Sequence, residues 1–211
     1  EEKVEDWSYL KFPYYKKLGY PGGMYRVGPL GRVNVADGCS TPLANKEATN
    51  FKKLSGNGVL QGSLYYHYAR LIEMLNCAEE IKSLVEDENI CSKDIWVSDN
   101  RVVNEEGVGV IEAPRGTLFH HYWVDRSGKM CRANLIVATG HNNLAMNRAV
   151  YEVAREFIKD GKVTEGILTR VEAAIRCYDP CLSCSSHALG HMPLEITIHE
   201  PDGNIRQVLR R

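Results

Sequence analysis

A chain of 211 residues, 44% of them hydrophobic, has the length and apolar content to bury a core of its own. Its 26 basic and 27 acidic side chains leave a net charge of −1, which excludes the basic field of a nucleic-acid-binding protein and suits a neutral partner surface. No apolar run approaches the length of a membrane span, no signal peptide opens the chain, and seven cysteines without framework spacing read as mostly buried single thiols of a reducing, cytoplasmic compartment. The first residue is Glu1, not Met, so the chain reads as a fragment, a trimmed chain or half of a split subunit.

Residues 1–35 are rich in Tyr, Gly and Pro and predict an irregular packed loop with one short strand, its tyrosines filling a surface groove. Thr41-Pro42 predicts a helix start, with Thr41 as the cap and Pro42 at the first helical position, ending by Gly56-Asn57-Gly58. The longest helix is expected from Ser63, as its cap, to about Glu86. Leu64, Tyr68, Leu71, Ile72, Leu75 and Ala78 recur at helical spacing and call for a bundle partner, with His67 and Arg70 at its rim.

A polar, turn-rich stretch follows. The period then changes: Val108 and Val110 lead to Glu112, residues 117–124 alternate, Asp125-Arg126-Ser127-Gly128 predicts a turn, and residues 130–138 return as a strand. Glu112 to Gly116 is thereby placed on a strand end and loop, where a rigid scaffold positions functional groups. His120 and His121 must split between the two faces of their strand, so at most one can reach a site there. Asn143 is expected to cap a helix over residues 144–159, with Ala149, Val150, Val153 and Phe157 on one face. Thr164 is expected to cap a last helix whose buried face is Ile167, Leu168, Val171, Ala174 and Ile175. Residues 194–199 and 205–209 around Pro201-Asp202-Gly203 predict a hairpin that must lean on the body of the protein. The fold class is α+β: a long-helix bundle with short β-hairpins, in a single domain over residues 1–211.

The last helix delivers the chain to Asp179-Pro180-Cys181-Leu182-Ser183-Cys184-Ser185-Ser186-His187. Two thiols at this spacing put both sulfurs on one side of a tight turn, and soft thiolates select nickel, iron, copper or zinc. The residues alone leave several readings open. A thioredoxin-type dithiol needs the motif at a strand-to-helix junction, not after a helix. Cys177, Cys181, Cys184 and His187 offer four ligands for structural zinc at an unusual spacing. The three cysteines also have iron–sulfur cluster spacing.

The nine residues from Asp179 to His187, followed by Met192-Pro193-Leu194, resemble the C-terminal signature of nickel–iron hydrogenase large subunits. The cytoplasmic, multimeric, cofactor-linked group, of the NAD-reducing and methyl-viologen-reducing type, is the nearest in wording. Glu112-Ala113-Pro114-Arg115-Gly116 and Gly23-Met24-Tyr25-Arg26-Val27-Gly28-Pro29-Leu30 resemble further blocks of the same family, in the same order. The resemblance implies that fold and the reversible heterolytic cleavage of H2 to protons and electrons at a nickel–iron centre with CO and CN ligands. It makes Cys181 a nickel ligand and Cys184 the nickel–iron bridge. His187 and the Leu135 backbone carbonyl would hold a further magnesium or iron ion. Arg115 would hang over the metals beside Pro114 and pair with Asp179, and Thr139 would hydrogen-bond a cyanide. Arg115, Asp179 and Cys181 are then the catalytic residues; without the resemblance, a structural salt bridge between Arg115 and Asp179 stands as the second reading.

The family takes two more cysteines from an N-terminal C-x-x-C, and no second C-x-x-C occurs in this chain. The resemblance therefore implies as partners the N-terminal half of the large subunit, a small iron–sulfur subunit that takes the electrons, and a maturation protease that cuts after His187 and removes residues 188–211. The final acceptor is a nicotinamide, a deazaflavin or a disulfide reductase. Two other readings stand beside it: a non-catalytic homologue of the quinone-site subunit of respiratory complex I, and a structural zinc module.

Overall fold

The computed structural model describes residues 1–6, 10–56, 58–96, 104–159, 161–181 and 195–210. The chain begins with two short antiparallel strands, β1 (Glu2–Val4) and β2 (Lys11–Pro13). Helix α1 (Pro29–Val35) follows where the sequence suggested irregular loop. Pro29 presets the first helical turn, but seven residues are too few to be helical by propensity alone. Burial of Leu30 and Val33 holds α1 in place, as do two hydrogen bonds between the Asn34 side chain and the backbone of Leu60.

Helix α2 (Pro42–Lys53) starts where expected, with Pro42 at its first position. Its cap differs from the expectation: the Thr41 side chain does not bond its own helix. Instead Thr41 donates its hydroxyl to Glu79 at 2.6 Å, and the Glu79 carboxylate accepts from the amides of Leu43 and Ala44 at 3.1 and 3.0 Å. An anion supplied by the neighbouring helix thus satisfies the orphan donors. The Thr41 hydroxyl and those amides hold the Glu79 carboxyl below its ordinary range.

Glu79 lies on α3 (Tyr65–Val85), the longest helix. Ser63 is not its cap, and the expected stripe holds only in part: Ile72 is buried and Tyr68 and Leu75 pack against the core, but Leu64 and Leu71 are exposed and Tyr66 and Ala69 complete the buried row. Several apolar positions compete on this helix, and its contacts with α1 and α2, from Tyr65 to Glu79, select the row that is buried. Phe51 of α2, fully buried, meets Tyr65 and Tyr68 of α3 edge to face. Burying each of Phe51, Tyr66 and Ile72 contributes on the order of 2 kcal/mol.

Strands β3 (Glu106–Ala113), β4 (Gly116–Val124) and β5 (Met130–Ile136) form an antiparallel meander. Their places are as the alternation predicted, and Glu112 to Gly116 forms the tight β3–β4 corner. A 3₁₀ turn over Ala138–Asn142 leads into α4 (Asn143–Phe157). Asn143 is the first residue of α4 and not its cap; its side chain donates to the Lys11 carbonyl. The buried part of α4 is its start, Asn143 to Ala145, while Phe157 is exposed.

Helix α5 (Glu165–Arg176) starts after Thr164 as expected, without a side-chain cap bond, and buries Ile167, Leu168 and Val171. The C-terminal strands β6 (Glu195–His199) and β7 (Ile205–Arg210) pair as a hairpin. The hairpin leans on the body: Ile196, Ile198 and Leu209 pack against Val163, Ile167 and Leu168. The thiols depart from expectation. Of the free ones among the described residues only Cys177 is buried; Cys77, Cys91 and Cys131 are exposed. Cys77 lies on the outer face of α3, Cys91 in the polar stretch after it, and Cys131 on an edge strand, where no layer covers them.

Candidate active site

Two arms meet at one point. The first is the exit of α5. Cys177 and Tyr178 are buried, Tyr178 stacking on Tyr66 at 4.8 Å and donating its hydroxyl to the Ala145 carbonyl. Asp179 then takes φ 50°, the one positive φ outside glycine among the described residues. A residue before proline is barred from the right-handed helical region, so α5 cannot continue into Pro180. Aspartate tolerates the left-handed conformation better than most residues. The chain therefore turns sharply and presents both the carbonyl and the carboxylate of Asp179 to the second arm.

The second arm is the β3–β4 corner. Here Gly28 at φ 92° and Gly116 at φ 144° allow two backbones to touch. A Cβ at Gly28 would lie 2.8 Å from the Arg115 carbonyl oxygen, and one at Gly116 would run into the Val27 side chain. The Val27 amide donates to Asn142 Oδ1 at 2.9 Å, and its carbonyl accepts the Tyr66 hydroxyl at 2.9 Å. Both partners are buried.

Where the arms meet, Arg115 Nε donates to the Asp179 carbonyl at 2.6 Å and lies 3.2 Å from its Oδ2. Their side chains are 40% and 45% exposed, so the pair adds little stability and serves orientation. The amide of Cys181 donates to Thr139 Oγ1 at 3.1 Å, and Thr139 is buried. A hydroxyl that accepts one bond keeps its own proton to donate. Arg115, Asp179, Cys181 and Thr139 are therefore brought together, and Pro114 stands next to Arg115 in the corner. Leu135 sits on β5 opposite His120, and none of the junction's hydrogen bonds involves it. Cys184 and His187 lie outside the described residues.

Among the described residues no group of three or more His, Cys, Asp and Glu side chains is set to hold a metal ion. Cys181 is disulfide-bonded, so its use as a thiolate ligand requires reduction. The paired histidines have partners of their own on β3 and β4: His121 bonds Glu106 and stacks on Trp123, while His120 bonds Tyr122. Arg70 ties α3 to the α5 exit through the Cys177 carbonyl.

The residues that sequence reasoning passed over are Arg32, Glu73, Asn142 and His141. Arg32 joins Glu73, Glu112 and the carbonyls of Ala113 and Pro114. His141 is buried and hydrogen-bonded through Nδ1 to Tyr25 at 2.5 Å; burial lowers its pKa and pushes that of Tyr25 up to about 12. The one signal for Arg32 was its place a turn after Gly28-Pro29.

This arrangement is the fold of nickel–iron hydrogenase large subunits. The chain superposes on an NAD+-reducing [NiFe]-hydrogenase in the H2-reduced state with a TM-score of 0.82 at 45% identity, covering 89% of this chain and 41% of that one. A [NiFeSe] hydrogenase variant from Desulfovibrio vulgaris Hildenborough, at 24% identity over 88% of this chain and 39% of that one, shares the fold with a TM-score of 0.61. In sequence the chain is 45% identical over 207 residues to the NAD-reducing hydrogenase HoxS subunit beta of Cupriavidus necator, covering 97% of this chain and 42% of that polypeptide. It is 46% identical over 191 residues to the matching polypeptide of an F420-non-reducing hydrogenase from Methanothermobacter marburgensis, covering 89% of this chain and 40% of that one. The profile of the nickel-dependent hydrogenase family matches residues 2–187, and the chain belongs to that family. It spans about two fifths of the length of these relatives.

Proposed function

We propose that this chain forms the C-terminal part of a nickel–iron hydrogenase large subunit, carrying half of its active site. The observation that carries the reading is the junction itself. Three blocks far apart in sequence converge there, with Arg115 Nε 2.6 Å from the Asp179 carbonyl and the Cys181 amide 3.1 Å from Thr139 Oγ1. When bound, the nickel–iron pair supplies the reversible heterolytic cleavage of H2 to protons and electrons. The donor chemistry of the described residues fits that pair as far as it extends: one sulfur, a buried hydroxyl with a proton to donate, and a fixed guanidinium at an open rim.

Reduced Cys181 and Cys184 would hold the nickel–iron pair, since a thiolate has lone pairs for more than one cation. Thr139 and Arg115 would donate hydrogen bonds to the cyanide ligands of that pair, and Asp179 keeps Arg115 aimed. The Leu135 carbonyl and His187 would hold a further magnesium or iron ion. The two remaining cysteines come from the N-terminal half of the large subunit. An open groove of about 850 Å³ beside the junction is lined by Arg32, Glu73, Glu112, Pro114 and Asp179, and we take it as the face that half covers.

Electrons leave to a small iron–sulfur subunit, and the acceptor beyond it is NAD(P), a deazaflavin or a disulfide reductase. Among the described residues no helix is long and apolar enough to cross a membrane. The cytoplasm is the compartment we assign, on the likeness of the Asp179–His187 wording to the cofactor-linked group. The family match stops at residue 187, and the hairpin after it has its own small apolar anchor. Both support residues 188–211 as an extension that a maturation protease removes; the mass of this polypeptide in the active complex decides this.

The test is Arg115→Lys in the assembled enzyme, with metal quantified in parallel. Lysine keeps the charge and loses the planar fork. Hydrogen turnover should fall about 10²-fold or more while nickel and iron stay bound. Unchanged turnover would reduce Arg115 to a structural partner of Asp179. Zinc in place of nickel and iron would favour the structural-zinc reading, and none of these metals the quinone-site one.

A further inference from the structure

The proposal rests on the reading of Arg115 as the arginine that faces the metals. It concerns what aims that arginine. Arg32 sits in the last turn of α1 and has all five of its N–H donors in use. Nε and Nη2 form a fork on Glu73 of α3, each at 2.7 Å. Nη1 reaches Glu112 Oε2 at 2.7 Å and the Ala113 carbonyl at 2.9 Å, and Nη2 also reaches the Pro114 carbonyl at 3.0 Å. Glu112 is held from its other oxygen by the Thr117 hydroxyl. Arg32 thus binds the two peptide units that immediately precede Arg115, and no bond to the Arg115 side chain itself is among its contacts.

The peptide after Arg115 is fixed from the same helix. The Arg115 carbonyl packs on Gly28, the residue that precedes α1, where a Cβ would stand only 2.8 Å away. The Arg32 amide donates to the Gly28 carbonyl at 3.0 Å, so the two grips are one helical turn apart. A seven-residue helix therefore holds the backbone of Arg115 on both sides, and Glu73 ties that helix to the core helix α3. The side chains of Arg32 and Glu73 are 24% and 26% exposed, so this fork is more sheltered than the Arg115–Asp179 pair that it serves. Charge alone does not require this arrangement. A lysine ammonium has three donors on one point and cannot span two carboxylates and two successive carbonyls.

We propose that Arg32 is the positioning residue for Arg115: its planar fork fixes the backbone from which Arg115 Nε reaches Asp179. The consequence is specific. Loosening Arg32 should free the Arg115 side chain without touching any group that binds metal.

The experiment follows the side-chain Nε–H signal of Arg115 by NMR in the full chain with labelled arginine, the signal being assigned by its loss in Arg115→Lys. Hydrogen exchange at that Nε–H reports the bond to Asp179 and does not depend on metal. In Arg32→Lys the exchange rate should rise about tenfold or more, the scale set by losing hydrogen bonds to a charged donor, while the thermal transition stays cooperative. Exchange within about twofold of wild type in a folded Arg32→Lys chain would overturn the proposal. If Arg32→Lys does not fold, Arg32→Gln carries the same test, because its amide still reaches one carbonyl. Hydrogen turnover of the assembled Arg32→Lys enzyme at unchanged nickel content should fall in step with the loss of protection. If Arg115→Lys itself leaves turnover intact, the functional reading of Arg115 fails while the exchange result still decides the link from Arg32 to Arg115.

Discussion

The helical core and the C-terminal hairpin are held by apolar contacts of very different depth. In the core Ala44, Phe51 and Ala69 are fully buried, and Tyr66, Ile72 and Cys177 almost so. Two core-side residues, Gly28 and Arg32, reach directly to the corner that carries Arg115, and Tyr66 holds the Val27 carbonyl beside Gly28. The hairpin is anchored by half-buried Ile196, Ile198 and Leu209 on a patch of only three buried residues. Among the described residues the junction of Arg115 and Asp179 is therefore coupled to the core, while the hairpin rests on a separate patch. An element that is cut away during maturation, as proposed for the tail, must leave the site's scaffold standing, and this division of packing provides that.

The largest expected contrast comes from excavating each region. Phe51→Ala should destabilise the chain by about 3–5 kcal/mol, the cost of a large aromatic removed from a tight core. Leu209→Ala, at a half-buried position, should cost only about 1 kcal/mol. Denaturant unfolding of both variants measures the two values, and equal losses would show that the tail is integral to the core. A next, smaller effect tests the coupling of core to corner. Gly28→Ala puts a side chain at φ 92° against the Arg115 carbonyl and should cost about 1–3 kcal/mol. It should also disturb the Arg115 Nε–H signal, whereas Leu209→Ala should leave that signal unchanged.

The smallest effect concerns how the core helices hold each other. The hydroxyl of Thr41, then the amides of Ala44 and Leu43, lower the Glu79 pKa in the folded chain. A carboxyl whose folded pKa lies below its unfolded value adds stability above the unfolded pKa, and that stability is lost as pH falls through the folded one. Glu79→Gln should therefore melt slightly below wild type at neutral pH, and the gap should close under acid. Thermal melts across the carboxylate range read it; a gap independent of pH would mean that the charge on Glu79 does not cap α2.

Much of the scaffold was legible where a short-range rule governs. Alternation placed β4 and β5, Pro201-Asp202-Gly203 placed the final hairpin, and Thr164 followed by an apolar stripe placed α5 and its exit at Asp179. The pairing of Arg115 with Asp179 was legible only through resemblance, since no local rule links residues so far apart. Where several solutions satisfy the local rule, the expectation failed. On α3 more than one apolar row was available, and packing on α1 and α2 kept Ile72 but chose Tyr66 and Ala69 over Leu64 and Leu71. Thr41 looked like a self-sufficient cap until Glu79 arrived from another helix.

By itself the sequence determined the order of most elements, the turn at Asp179-Pro180 and the chemistry on offer there: a thiol, a carboxylate and a permanent cation. These follow from backbone sterics and side-chain type, which act within a few residues. Tertiary structure alone decided that seven residues after Gly28 would be helix and that Arg32 would bind the carbonyls of Ala113 and Pro114. It also decided that Gly28 and Gly116 would let two backbones touch. The physical reason is that such contacts pair donors with acceptors, and surface with surface, between segments whose separation in sequence carries no signal. Only the packed chain brings them within a bond's length.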